Sequence, residues 1–240
     1  MTSLDTLLDA LRSDDPRLRQ QAAMELGAQD ATPVMPALVA AMAAETDDFV
    51  RETLIWAVVA RPDAATPELV KALDRDLPRE PILHALSKIG DPATVPAILP
   101  HAADPDPTVA AKAWWALGRI GDGIPTLVTH LGAADAERRL GLTRALLQAG
   151  APAIDALAGA LTSDDAAVRS HAAEILVAFA DPARAGTAER RAGQNLSARA
   201  ADALLRSAAA EVDGALLLAG LDEDHPALAD LAQRLRDERD

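Results

Sequence analysis

Few side chains in this sequence could do chemistry. Five histidines, three tryptophans and two phenylalanines stand in a chain of 240 residues that has neither cysteine nor tyrosine. Without cysteine there are no disulfides, thiolate metal sites or covalent thiol chemistry. Histidine could ligate a metal, but no HExxH pair and no short-range His/Asp cluster appears, so no metal ligand is assigned. His101 and His130 hold equivalent places in successive segments whose other members, Ala41, Ala72 and Ala160, are small and apolar. A half-buried packing role is the expectation for both. No glycine-rich phosphate loop, GxSxG elbow or carboxylate pair in a catalytic context is present. The sequence therefore assigns no catalytic residue and no cofactor, and it favours a noncatalytic protein over an enzyme.

The tryptophans gain meaning from a repeat that places them. The segments LRQQAAMELG (from Leu18), VRETLIWAVV (from Val50), PREPILHALS (from Pro78), VAAKAWWALG (from Val109), RRLGLTRALL (from Arg138) and VRSHAAEILV (from Val168) align without gaps, and a weaker seventh copy begins at Leu196. Their second positions are Arg19, Arg51, Arg79, Ala110, Arg139, Arg169 and Ser197, in steps of 32, 28, 31, 29, 30 and 28 residues. A period near thirty is that of a helix pair.

Each segment follows another amphipathic stretch, such as VMPALVAAM or TVPAILPHA, which supplies the first helix of the pair. Pro36, Pro67, Pro96 and Pro125 are expected at the start of these first helices, where a missing N–H is harmless, with Asp155 in that place in the sixth copy. Asp15, Asp47, Asp106, Asp135 and Asp165 lie in the turns and are expected to cap the second helices. Gly90, Gly121 and Gly150 should end second helices in left-handed conformation.

The copies DPRLRQQAAMELG, DPTVAAKAWWALGRIGD and SDDAAVRSHAAEIL resemble the HEAT-like repeat first associated with phycobilisome lyases, over roughly residues 4 to 182. The resemblance implies an all-α fold, an α-solenoid of about seven helical hairpins. Residues 1–182 would hold six repeats, and 183–240 a divergent seventh repeat with an acidic C-terminal cap, all in one continuous domain. It also implies that the recurrent arginines and turn aspartates bond within and between repeats, and that second helices line a concave surface.

With 3.6 residues per turn, framed positions one, five, eight, nine and twelve share one face. In the fourth copy these are Val109, Ala113, Ala116, Leu117 and Ile120, the expected core face. Lys112 should lie off it, and Trp114 should pack. Positions three and seven point the opposite way. The seventh-position ladder reads Met24, Trp56, His84, Trp115, Arg144, Glu174 and Asp202, with Glu52 and Glu80 on the third-position ladder. Aromatic side chains on a solvent-facing ladder supply contact area at low entropic cost. The candidate ligand-binding site is therefore Glu52, Trp56, Glu80, His84, Trp115 and Arg144. Its carboxylates suit a basic peptide or a cationic ligand.

A formal charge of −14 disfavours nucleic acid and anionic membranes as partners, and acids on the inner ladders argue against a DNA groove. The N-terminus lacks a basic leader, and no apolar run approaches the ~18 residues of a membrane span, so a cytoplasmic setting is expected. The leading reading is a binding or scaffold protein for a protein, peptide or small ligand. The resemblance leaves open a chromophore-lyase-like or other small-molecule activity, and a HEAT-like glycosylase or other nucleic-acid-binding role. The segment Ala183 to Ser197, with Arg184, Arg190 and Arg191, breaks the period and has no assigned role.

Overall fold

The computed structural model describes residues 2–180 together with 199–200 and 203–204. Most of the expected seventh repeat, including Asp202, together with the C-terminal cap and the irregular segment Ala183 to Ser197, lies outside the described residues. Six hairpins follow one another. They are α1 (Leu4–Ala10) with α2 (Pro16–Ala28), α3 (Met35–Ala44) with α4 (Asp48–Val59), and α5 (Pro62–Leu73) with α6 (Arg79–Ile89). Next, α7 (Val95–Ile98), prolonged by a 3-10 turn over Leu99–Ala103, precedes α8 (Pro107–Ile120). The last two are α9 (Ile124–Val128) with α10 (Ala136–Ala149) and α11 (Ala151–Ala160) with α12 (Ala166–Ala180). No strand occurs among the described residues. The fold class is all-α, an α-solenoid of helical hairpins. The chain divides into two compact units, Met1–Ala116 and Leu117–Asp240, with the boundary inside α8.

The turn aspartates cap as their spacing requires. Asp15 accepts from the Arg17 N–H at 2.9 Å, Asp47 from Phe49 and Val50, Asp106 from Thr108, Asp135 from Arg138 and Asp165 from Ala167. Each satisfies donors that have no intrahelical acceptor. The recurrent arginine serves the same turns. Arg19, Arg51 and Arg169 each donate from Nη1 to the carbonyl six residues upstream, on Ser13, Glu45 and Ser163 at 2.9, 3.2 and 2.7 Å. Three of the recurrent arginines also reach the next repeat, Arg79 through Asp104 at 4.0 Å. Arg19 makes a two-pronged bond to Glu45 at 2.8 and 2.9 Å, and Arg139 meets Glu174 at 2.6 Å. Burial opposes the charge on Glu45, yet the Arg19 bonds and the N–H groups of Asp47 and Thr46 hold its carboxyl below the usual range. These guanidiniums hold the fold and are not free for an anion.

Several expectations need correction. Pro67 does not begin its helix: α5 starts at Pro62, with the Ala65 N–H donating to Arg61 at 2.9 Å, so Pro67 sits in the interior. In the sixth copy the first-turn proline is Pro152, and Asp155 lies further in. Both helices begin a turn earlier than the repeat alignment implies. Gly90 does adopt the left-handed conformation, at φ 72° and ψ 24°, but Gly150 has φ 71° and ψ −134°. At Gly150 α10 passes directly into α11, and only glycine accepts that geometry without strain. Val109, Ala113, Ala116 and Leu117 are buried as expected, while Ile120 is half-buried at the end of α8.

Candidate functional site

In the first unit, the seventh-position side chains lie off the core as their spacing requires. Met24 and Trp56 are exposed, and His84 and Trp115 are half-buried. Trp56 keeps 50% of its surface in solvent, while its other side rests on the preceding repeat. A Cβ built at Gly27 would overlap the six-membered ring of Trp56. Arg61 completes this seat by donating to the Gly27 carbonyl at 3.0 Å while Asp30 stands 3.6 Å from its Nε. The ring is thus anchored on one face and presented on the other. Trp114 behaves differently. It is 1% exposed, and its indole N–H donates to the Ala102 carbonyl at 2.9 Å, in keeping with its expected packing role.

Glu52, Glu80 and His84 come together through two lysines. Lys112 Nζ lies 2.8 Å from Glu80 Oε1 and 3.1 Å from His84 Nδ1. Lys88 Nζ lies 3.3 Å from Glu52 Oε2. Lysine can only donate, so His84 Nδ1 accepts and the neutral ring carries its proton on Nε2. That buried nitrogen makes no hydrogen bond, and Glu52 Oε1 stands 3.6 Å away. Burial, with the charge of Lys112 added, lowers the His84 pKa, so the contact with Glu52 is not an ion pair near neutrality. Lys112, expected merely to lie off the core, bridges α6 and α8 instead. The lysines also neutralise the carboxylates, so Glu80 offers little to a cation; Glu52, more than half exposed, offers more.

Arg144 is exposed on α10 and belongs to the second unit. His101 and His130 are half-buried, and burial lowers both pKa values, with Arg79 adding at His101 and Arg138 at His130. Among the described residues no group of three or more His, Cys, Asp or Glu could hold a metal ion, and no helix is long and apolar enough to cross a membrane.

Hairpin, turn aspartate and recurrent arginine define the repeat unit, and a family model described as HEAT repeats matches residues 2–59 and 63–147. The chain belongs to the HEAT-repeat family. No curated protein sequence matches this HEAT-repeat chain. Solved structures similar to it include the complex of CpcE and CpcF of phycocyanin lyase from Nostoc sp., at 22% identity and TM-score 0.43, covering 98% of this chain and 95% of that one. An engineered protein aligns at 21% identity and TM-score 0.42, covering 98% and 78%. Human deoxyhypusine hydroxylase in complex with glycerol aligns at 19% and 0.39, covering 99% and 96%.

Two features of this HEAT-repeat chain lie outside the framed solvent-facing positions. Phe49 is 80% exposed, in the first turn of α4 and seven residues before Trp56. It stands just outside the repeat frame, although its two-turn spacing from Trp56 was visible. A groove of about 530 Å³ also opens among the first helices, lined by Leu8, Leu11, Ala40 and Ala44 and by the Arg19–Glu45 pair. Small residues at helical spacing in α3 leave that space, and none of the six candidate residues lines it.

Proposed function

We propose that this chain is a noncatalytic binding protein that receives a protein or peptide partner on the second-helix face of its first unit, which bears Glu52, Trp56, Glu80, His84 and Trp115, with Arg144 proposed as a contact on the second unit by itself. The observation that carries the reading is Trp56. In a chain with five aromatic residues, one large ring is fixed on Gly27 by one face and left open to solvent by the other. A ring needed only for packing would bury both faces, as Trp114 does. An anchored, half-open indole meets a partner without losing rotamer freedom on binding, the property of hot-spot aromatics. A cytoplasmic setting belongs to the same proposal.

The test is to recover the partner from the native host and titrate it against Trp56→Ala and Trp115→Ala. Binding should weaken by ~2 kcal/mol or more for at least Trp56→Ala, with helicity retained and a loss of stability no larger than the half-buried ring accounts for. Undiminished affinity together with lowered melting temperatures would return both rings to a packing role.

A further inference from the structure

Among the described residues, five large apolar side chains are exposed, and four of them lie on the neighbouring second helices α2 and α4: Leu18 and Met24 on α2, Phe49 and Trp56 on α4. Phe49, Glu52 and Trp56 follow at i, i+3 and i+7, so they form one stripe along α4, with the two aromatic residues ~10 Å apart along the axis. Met24 holds on α2 the repeat position that Trp56 holds on α4. The helices are tied between these side chains, where Gln20 donates to Thr53 Oγ1 at 3.3 Å. Met24 on α2 and Phe49 and Trp56 on α4 thus present an exposed apolar patch across two packed helices, a surface of the kind that receives a third helix.

Charge decides what kind. Residues 1–116 hold 18 acidic and 10 basic side chains. At the Phe49 end of the stripe stand Asp47 and the exposed Asp48, with Glu52 one turn on. Arg19 is held by Glu45, and Asp48 and Glu52 meet Arg51 and Lys88 only in surface pairs, with their own side chains 82% and 55% exposed, so these two carboxylates can exchange partners at little cost. Arg17, in the first turn of α2 at the repeat position that Phe49 holds on α4, is exposed.

We infer that the partner presents an amphipathic helix with apolar residues at i, i+3 or i+4, and i+7 and with Lys or Arg flanking that stripe. The helix docks on Met24, Phe49 and Trp56, its cations over Asp47, Asp48 and Glu52. This rests on the binding role proposed for the second-helix face and adds to it the partner's chemistry and Phe49 as an anchor.

Fluorescence anisotropy with three labelled peptides of about 18 residues, long enough for five helical turns, tests it. One carries a leucine stripe flanked by lysines, the second the same stripe flanked by glutamates, and the third the lysine peptide with its leucines scrambled. The lysine-flanked helix should bind about tenfold tighter than either other peptide, and Phe49→Ala and Asp48→Lys should each weaken it about fivefold or more. Asp63→Lys, an equal charge change on a first helix, should leave it unaltered, and circular-dichroism melts of all variants should stay near the parent. Absence of binding, equal binding of the glutamate peptide, or equal effects of Asp48→Lys and Asp63→Lys would overturn the inference. So would a self-association by sedimentation that Phe49→Ala abolishes, which would make a second copy the occupant. Loss of recovered-partner binding in Trp56→Ala with full binding in Phe49→Ala would overturn this inference and leave the proposed function standing; full binding in both would remove the two together.

Discussion

His171 is the most enclosed titratable side chain among the described residues, with no exposed surface. The Gly132 N–H donates to its Nδ1 at 3.3 Å, which leaves the proton on Nε2 to donate to Thr143 Oγ1 at 2.9 Å. The ring thereby joins the turn after α9 to α10 and α12. Burial, aided by Arg139, lowers its pKa, so the folded protein holds it neutral where the unfolded chain already takes up a proton. Unfolding then binds protons in the window from the ordinary value near 6.5 downward to the depressed one, and stability falls as pH falls through that window while staying level above it. Urea melts between about pH 7.5 and 5.5 should show this decline, and His171→Gln should flatten part of it. A slope unchanged in the variant would exclude the residue as a source. Trp56 invites a second substitution at the same scale. Gly27→Ala drives a methyl into its ring, so the indole must move; a red-shifted emission and a loss of ~1–3 kcal/mol are expected, whereas an unchanged spectrum would deny the contact.

Among the elements, the second helices were legible because three independent signals agree on them: the apolar period, the aspartate four residues before the framed arginine, and the arginine itself. Asp47→Ala removes an oxygen that accepts two N–H groups and should cost ~1 kcal/mol, read from the urea midpoint. Leu117→Ala empties a fully buried site and should cost ~2–5 kcal/mol, whereas Arg144→Ala on the open side should stay within about 0.5 kcal/mol. Similar losses at the two would show the faces to be misassigned. The first helices were less legible. Their sequence signal is a proline, and a proline is compatible with the first turn of a helix or with an interior position whose lost bond is tolerated. Pro62 and Pro152 therefore displaced Pro67 and Asp155 as helix starts. Side-chain networks were beyond the pattern altogether. Periodicity puts Lys112 off the core, but only the approach of α8 to α6 brings its ammonium to both Glu80 and His84. Phe49 lay one residue outside the frame, so its spacing from Trp56 carried no weight until exposure revealed it.

Over the whole molecule, each hairpin needs its neighbour to bury an apolar face, which is why the repeat period spoke clearly for fold and faintly for function. Arg, Asp and the core positions recur because every repeat must stack. Trp56, Phe49 and the His84 cluster occur once each, and residues that break the repetition without serving the core are where a partner would be met. The most direct measurement installs a photoreactive benzophenone side chain, in the native host, at Met24 or Glu52 on the second-helix face, and at Ala37 or Lys71 on first helices for comparison. The account predicts a discrete crosslinked partner from positions 24 and 52, diminished when Trp56→Ala is combined with either, and none from 37 or 71. Adducts from 37 and 71 with none from 24 and 52 would contradict it.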